Sequence, residues 1–100
     1  MNAVIIRMIE GDITCLKDLA EELRGYNEEQ RVKRKGEISK HIETKRKGIR
    51  TYEFYVNGKE FNLSEEESGS FSKKIGEYEL AHENLCLAYI EAYGREKPNE

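Results

Sequence analysis

IRTYEFYVNGKEFNL, residues 49–63, shows the alternation of a β-hairpin, and the predicted fold is built around it. Tyr52, Phe54 and Val56 recur with a period of two, which is typical of a half-buried strand. Asn57-Gly58 follows, and this dipeptide favours a type I′ turn because both central positions of that turn need a positive φ. The residues after the turn resume the alternation. We therefore expect an antiparallel sheet at the centre of the fold, with Phe54 and Val56 in its core.

Length and composition indicate one small domain. The chain has 100 residues, of which 37% are charged and 37% apolar, so a single modest core is expected. No run approaches the roughly 20 apolar residues of a membrane helix, and the N-terminal AVIIRMI lacks the features of a signal peptide. We expect a cytoplasmic protein, with peripheral association with a membrane as the alternative. Cys15 and Cys86 have no CxxC spacing, so two buried free thiols are expected, with a single disulfide as the alternative.

An amphipathic helix is predicted near the N-terminus. Asp12 is a plausible N-cap and Gly25 a plausible end. The apolar positions between them keep helical spacing along one face; they are Ile13, Leu16, Leu19, Ala20 and Leu23. Residues 3–9 fit either a short strand or an extension of this helix. Together these elements form a predicted N-terminal segment, residues 1–30.

The rest of the chain predicts a small barrel over residues 31–93. Strands are expected at 36–45, 49–57, 59–63, 77–82 and 85–93, with a helix as the alternative for the last. Ser64 and Glu67 form a capping-box pattern, which predicts a short helical turn that Gly69 breaks. The fold class is thus α+β, a helix plus a five-stranded antiparallel barrel, OB-like with an SH3-like barrel as the alternative. Residues 94–100 are expected to form a disordered tail.

The same elements resemble a known kind of domain. The run from Val32 to Glu91 contains KRKGIRTYEFYVNGKEFNL, IGEYELAH and LCLAYIEA. It resembles a small soluble β-domain of bacterial, often membrane-associated, proteins of unknown function. In such domains a basic turn precedes a Tyr-rich strand, and a Gly-Glu-Tyr strand follows. The resemblance implies a fold and no activity.

Charge is distributed unevenly along the chain. Residues 31–50 carry nine basic and two acidic side chains, a local charge of +7 in a chain of net charge −3. A basic surface with an aromatic side chain could bind single-stranded nucleic acid or an anionic membrane surface. The alternative is that these lysines only solvate a hairpin edge. The candidate binding residues are Lys40, Lys45, Arg46, Lys47, Arg50 and Tyr55.

No catalytic or metal-binding pattern accompanies this basic segment. The sequence lacks GxSxG, HExxH, GxGxxG and Walker patterns, and His82 is expected to be a partly buried structural residue rather than a base. We therefore expect no catalytic residues, metal or cofactor. The favoured function is a non-catalytic protein-interaction or regulatory module with a protein partner that the sequence does not name. Binding of nucleic acid or an anionic surface is the alternative.

Overall fold

Three long helices make up the part of the chain that the computed structural model describes, residues 2–57 and 64–94, with side chains for 4–54 and 64–94. They are α1 (Asn2–Gly25), α2 (Glu28–Asn57) and α3 (Glu65–Tyr93). Salt bridges pair the first half of α1 with the first half of α3, Glu10 to Lys74, and the end of α1 with the end of α3, Arg24 to Glu91. These two helices therefore run parallel and pack on each other, and α2, which follows α1 in the chain, packs mainly on α3 in the opposite direction.

Side chains define where α2 and α3 begin. Asn27 accepts a bond from the Gln30 backbone N–H at 2.9 Å, and the Gln30 side chain accepts one from the Asn27 N–H at 3.0 Å. Ser64 and Glu67 make the same reciprocal pair, which confirms the capping box predicted from the sequence. Each pair satisfies backbone donors that the first turn of a helix leaves unpaired.

The core follows a spacing of alternating three and four residues in all three helices. This spacing keeps one seam of each helix against its neighbours, as in left-handed helical bundles. The buried positions that keep this spacing are Ile9, Ile13, Leu16, Ala20 and Leu23 on α1, Ile38, Ile42 and Tyr52 on α2, and Phe71, Ile75, Tyr78, His82, Leu85 and Tyr89 on α3. Leu19, Ala81 and Ala88 are buried beside these seams. On α2 the partly buried Lys45 and Ile49 complete the seam between Ile42 and Tyr52.

The predicted α+β fold is wrong, because no described residue lies in a strand. The five-stranded barrel, in its OB-like and SH3-like forms, is replaced by helices. Residues 36–57 belong to α2, and residues 77–93 belong to α3. In the predicted central strand, Tyr52 is 7% exposed but Phe54 is 62% exposed. A period of two would bury both or neither, so helical packing and not strand alternation decides their burial. The second strand of the hairpin, within residues 58–63, lies outside the described residues.

The resemblance to a small β-domain is likewise not supported. Its segment, Val32 to Glu91, forms α2 and α3 wherever the structure describes it. The predicted face shared by Tyr78, Leu80 and His82 is divided: Tyr78 and His82 are buried, whereas Leu80 is 69% exposed. Gly69 was expected to break a short turn, but α3 continues through it.

The N-terminal helix is confirmed, and it is longer than predicted. The five apolar positions predicted for its face are all buried, and the helix ends at Gly25. Residues 3–9 extend this helix, the second of the two alternatives. Asp12 is therefore not an N-cap but a side chain in the middle of α1. The segment boundaries 1–30, 31–93 and 94–100 stay predictions, and residues 95–100 lie outside the described part.

Hydropathy provides one further observation. Among the described helices, none combines the length and the apolar composition that crossing a lipid bilayer requires.

Candidate interaction surface

A polar network joins the three helices at the middle of the bundle. The Asp12 carboxylate of α1 accepts bonds from Lys45 Nζ at 2.7 Å and from the Tyr52 hydroxyl at 2.8 Å. From α3, the Tyr78 hydroxyl donates to the Lys45 carbonyl oxygen at 2.8 Å. The Tyr52 and Tyr78 rings meet edge to face, with centroids 5.8 Å apart. Since these groups satisfy one another, we interpret the network as a structural link that aligns the helices.

Both tyrosines of this network are held in their neutral form. Burial raises the pKa of Tyr52 above its usual range, and the hydrogen bond to Asp12 raises it further. Burial also raises the pKa of Tyr78, with Asp12 adding to the effect. A phenol whose pKa is higher in the folded chain than in the unfolded chain stabilises the fold fully below the unfolded value and loses that contribution as pH rises.

Alkaline pH should therefore destabilise the bundle. Above a pH of about 10, where unfolded tyrosine ionises, each of these two tyrosines should lower the free energy of unfolding by up to about 1.4 kcal/mol per pH unit. Urea unfolding followed by circular dichroism between pH 9 and pH 11.5 measures this slope. Tyr52→Phe is the control, because it removes one of the two groups. If Tyr52→Phe showed the same change of unfolding free energy with pH as the wild type, Tyr52 would not be one of the responsible groups.

A second polar cluster lies between α2 and α3. His82 is buried, and its Nε2 lies 2.9 Å from the Ile42 carbonyl oxygen. A carbonyl only accepts, so Nε2 carries the proton and Nδ1 is left to face Cys86 Sγ at 3.8 Å. Burial raises the pKa of Cys86, although the neighbouring Arg46 opposes the shift. A raised pKa disfavours the thiolate form that nucleophilic catalysis uses.

Metal ligands are not gathered in the described part of the chain. Within it, no three side chains of His, Cys, Asp or Glu converge as a metal site would require. Both cysteines are free and partly buried.

The structure brings only part of the predicted binding site together. Lys40, Lys47 and Arg50 are exposed on the outward face of α2. Lys45 points inward to Asp12, and Arg46 lies beside Cys86 on the side of α2 that faces α3. The Tyr55 side chain lies outside the described residues.

An additional residue, Lys33, joins the outward face of α2. Lys33, Lys40 and Lys47 are each seven residues apart, so they form a line about 21 Å long. Lys47 is well exposed, with a weak contact to Glu43 at 3.9 Å. We call Lys33, Lys40, Lys47 and Arg50 the basic stripe. The spacing of seven could have identified it from the sequence, if the segment had been interpreted as a helix.

On the outward face of α3 lies a set of exposed apolar side chains. Leu80 is 69% exposed, Leu87 51% and Ile90 39%. Seven residues separate the two leucines and three more lead to Ile90, so all three lie on the face opposite the core. We call them the apolar stripe. The sequence pattern did not predict this stripe, because a strand at 77–82 would place Leu80 on the same face as Tyr78.

Charge separates the two faces. The α2 helix carries nine basic and five acidic residues, a net charge of +4, whereas α3 carries two basic and seven acidic residues, a net charge of −5. Glu79 and Glu83 lie exposed along one edge of the apolar stripe, and neither forms a salt bridge with another described residue. Glu91 lies along the other edge and bonds Arg24 at 3.0 Å. α2 is thus the basic helix and α3 the acidic one, although Glu37 and Glu43 are exposed beside the basic stripe.

Comparisons with known proteins do not add an assignment: no family model, no curated protein and no solved structure matches this chain.

Proposed function

We propose that this chain is a non-catalytic protein-interaction module that binds its partner through the apolar stripe of α3. The observation that carries the proposal is the exposure of Leu80, Leu87 and Ile90 on one outward helix face. A single exposed leucine is ordinary, but three large apolar side chains on one face, with carboxylates along their edges, have the composition of a binding site for a helix.

The polar residues support the same proposal. Two groups of the kind used in catalysis already have partners: Asp12 binds Lys45 and Tyr52, and His82 binds a backbone carbonyl. A catalytic base or nucleophile needs a free atom directed toward a substrate. The outward face of α3, in contrast, offers exposed apolar side chains, and the carboxylates of Glu79 and Glu83 beside them pair with no other described residue.

Site-specific crosslinking tests the proposal. A photoreactive amino acid in place of Leu87, in the full chain expressed in cells, should form a discrete adduct on irradiation, because that position lies within the proposed contact. The matched control carries the same group in place of Thr14, which is exposed on α1. Leu80→Glu, introduced together with the probe at 87, should remove the adduct while circular dichroism still shows a folded helical protein. Equal adducts at positions 14 and 87, or none at 87, would overturn the proposal.

A second candidate, binding of single-stranded nucleic acid or an anionic membrane surface, is favoured by the basic stripe. Its three aligned lysines and Arg50 could neutralise three or four phosphates, which would give a salt dependence with a slope of about −2 to −3 for single strands. Retention of the chain on single-stranded DNA or on anionic vesicles at low salt, lost in Lys40→Glu/Lys47→Glu, would favour this candidate over the first.

A further inference from the structure

We propose that the partner of the apolar stripe is the basic stripe of a second copy of this chain, so that α2 of one copy packs along α3 of another. The inference rests on the proposed function, since it names the occupant of the same surface. It is carried by the complementary charge and matching spacing of the two outward faces.

Charge complementarity identifies the occupant. The α3 face has a leucine-containing centre with Glu79 and Glu83 along one edge, and neither carboxylate is paired within the described bundle. A helix that fits this face needs cations on its outer positions. The α2 helix of the same chain has them, with Lys40 and Lys47 exposed and a net charge of +4 against −5 on α3. Opposite potentials of this kind steer two surfaces together and disfavour pairing of like faces.

The spacing of the two faces matches as well. Lys40 and Lys47 are seven residues apart, as are Leu80 and Leu87, and both distances are about 10.5 Å along a helix. Lysine can lay its four-carbon stem on apolar surface while its ammonium group reaches a charged partner. In the proposed pairing, each lysine stem covers one leucine, and the ammonium groups reach Glu79 and Glu83.

The geometry determines the kind of assembly. The two faces lie on different helices of one copy, so each pairing leaves one basic face and one apolar face unused. Repeated head-to-tail contacts of this type build an open filament of copies or close into a ring, so the assembly does not stop at two copies. One helix pair is smaller than a standard interface, and its ion pairs are exposed, so the association should be weak and suppressed by salt.

Two charge-reversal variants test the pairing by analytical ultracentrifugation of the full chain at low salt. At high protein concentration the wild type should sediment with an average mass well above its monomer mass of 11.7 kDa, and 0.5 M salt should return it to the monomer. Lys40→Glu/Lys47→Glu should be monomeric, because both helices are then acidic at the contact. Glu79→Lys/Glu83→Lys should be monomeric for the opposite reason.

An equimolar mixture of the two variants is the decisive measurement. The acidic α2 of the first variant now complements the basic α3 of the second, and the remaining two faces also complement each other, so the mixture should regain the mass of the wild type. Arg7→Glu/Lys17→Glu is the matched control, because it changes the net charge of the chain by the same amount on exposed positions of α1 and should leave the association intact.

The outcomes separate this inference from the proposed function. A wild type that remains monomeric at high concentration and low salt, or a mixture that does not regain association, overturns the pairing. If the probe at position 87 still forms an adduct with a different protein, the proposed function stands without this inference. If no adduct forms and the chain is monomeric, both fail. Adducts at multiples of the chain mass, together with rescue in the mixture, support both.

Discussion

Tyr78→Ala should lower the free energy of unfolding by about 3–5 kcal/mol, the usual range for removing a large aromatic side chain from a packed core. Tyr78 is 1% exposed, donates its hydroxyl to the Lys45 carbonyl of α2 and packs its ring against Tyr52. It therefore stabilises the packing of α3 on α2. Through Tyr52, it also stabilises the hydrogen bond that links α2 to Asp12 of α1. For a domain whose whole stability is about 5–15 kcal/mol, this loss is a large fraction. Urea unfolding followed by circular dichroism at 222 nm measures it.

Two control variants separate the parts of this effect. Tyr78→Phe keeps the ring and removes the hydroxyl, so it should cost only about 1 kcal/mol, the net value of a typical hydrogen bond. Leu80→Ala changes a residue two positions away that is 69% exposed, and its effect should stay within about 1 kcal/mol. A Leu80→Ala effect as large as that of Tyr78→Ala would mean that the helix seam has been assigned to the wrong positions.

Gly48→Ala should destabilise the bundle although alanine is the better helix former. A Cβ at position 48 would lie 2.6 Å from the Tyr78 hydroxyl oxygen, closer than two such atoms can approach. Tyr78 is rigidly packed, so the clash should cost about 1–3 kcal/mol, of which the better helix propensity of alanine offsets up to about 1 kcal/mol. Gly36→Ala is the matched control within the same helix. Nothing lies within 4 Å of its added Cβ, so it should stabilise by about 0.5–1 kcal/mol.

The two positions should also be coupled. The Tyr78 ring carbon that bears the hydroxyl lies 3.6 Å from the same Cβ, an ordinary contact distance, so the clash belongs to the hydroxyl oxygen alone. In a Tyr78→Phe background, Gly48→Ala should therefore lose most of its cost, and a double-mutant cycle should show a coupling energy of about 1 kcal/mol or more. Additive effects of the two substitutions would contradict the close approach.

Several local features could be predicted because each depends on residues close together in sequence. The Ser64–Glu67 capping box and the buried face of α1 are of this kind, since a cap needs four residues and a helix face needs only its own periodicity. The basic segment was also identified, but its shape was not. Proximity in sequence predicts that Lys45 lies with Lys40 and Lys47, whereas the helix places it inward against Asp12.

The prediction of a central hairpin is wrong because residues 49–57 fit two patterns, a short strand alternation and a longer helical spacing. Tyr52 and Phe54 are aromatic residues two positions apart before Asn57-Gly58, and aromatic residues favour strands. The longer pattern, Ile38, Ile42, Lys45, Ile49 and Tyr52, alternates steps of four and three residues, but the basic Lys45 interrupts its apolar character. The period of two over seven residues is therefore easier to recognise in the sequence than the helical period, which extends over fifteen residues and includes one charged residue.

Local sequence patterns were enough to predict the Ser64 cap of α3, the end of α1 at Gly25, the apolar face of α1 and the concentration of basic residues in one segment. Only the tertiary structure decided that Lys45 could occupy the seam of α2, that Gly48 makes room for Tyr78, and that Leu80 and Leu87 face outward. The physical reason is that these three outcomes depend on a neighbour distant in sequence. A lysine is tolerated in a core when a carboxylate such as that of Asp12 approaches it, and a leucine is left exposed when the helix buries its opposite face.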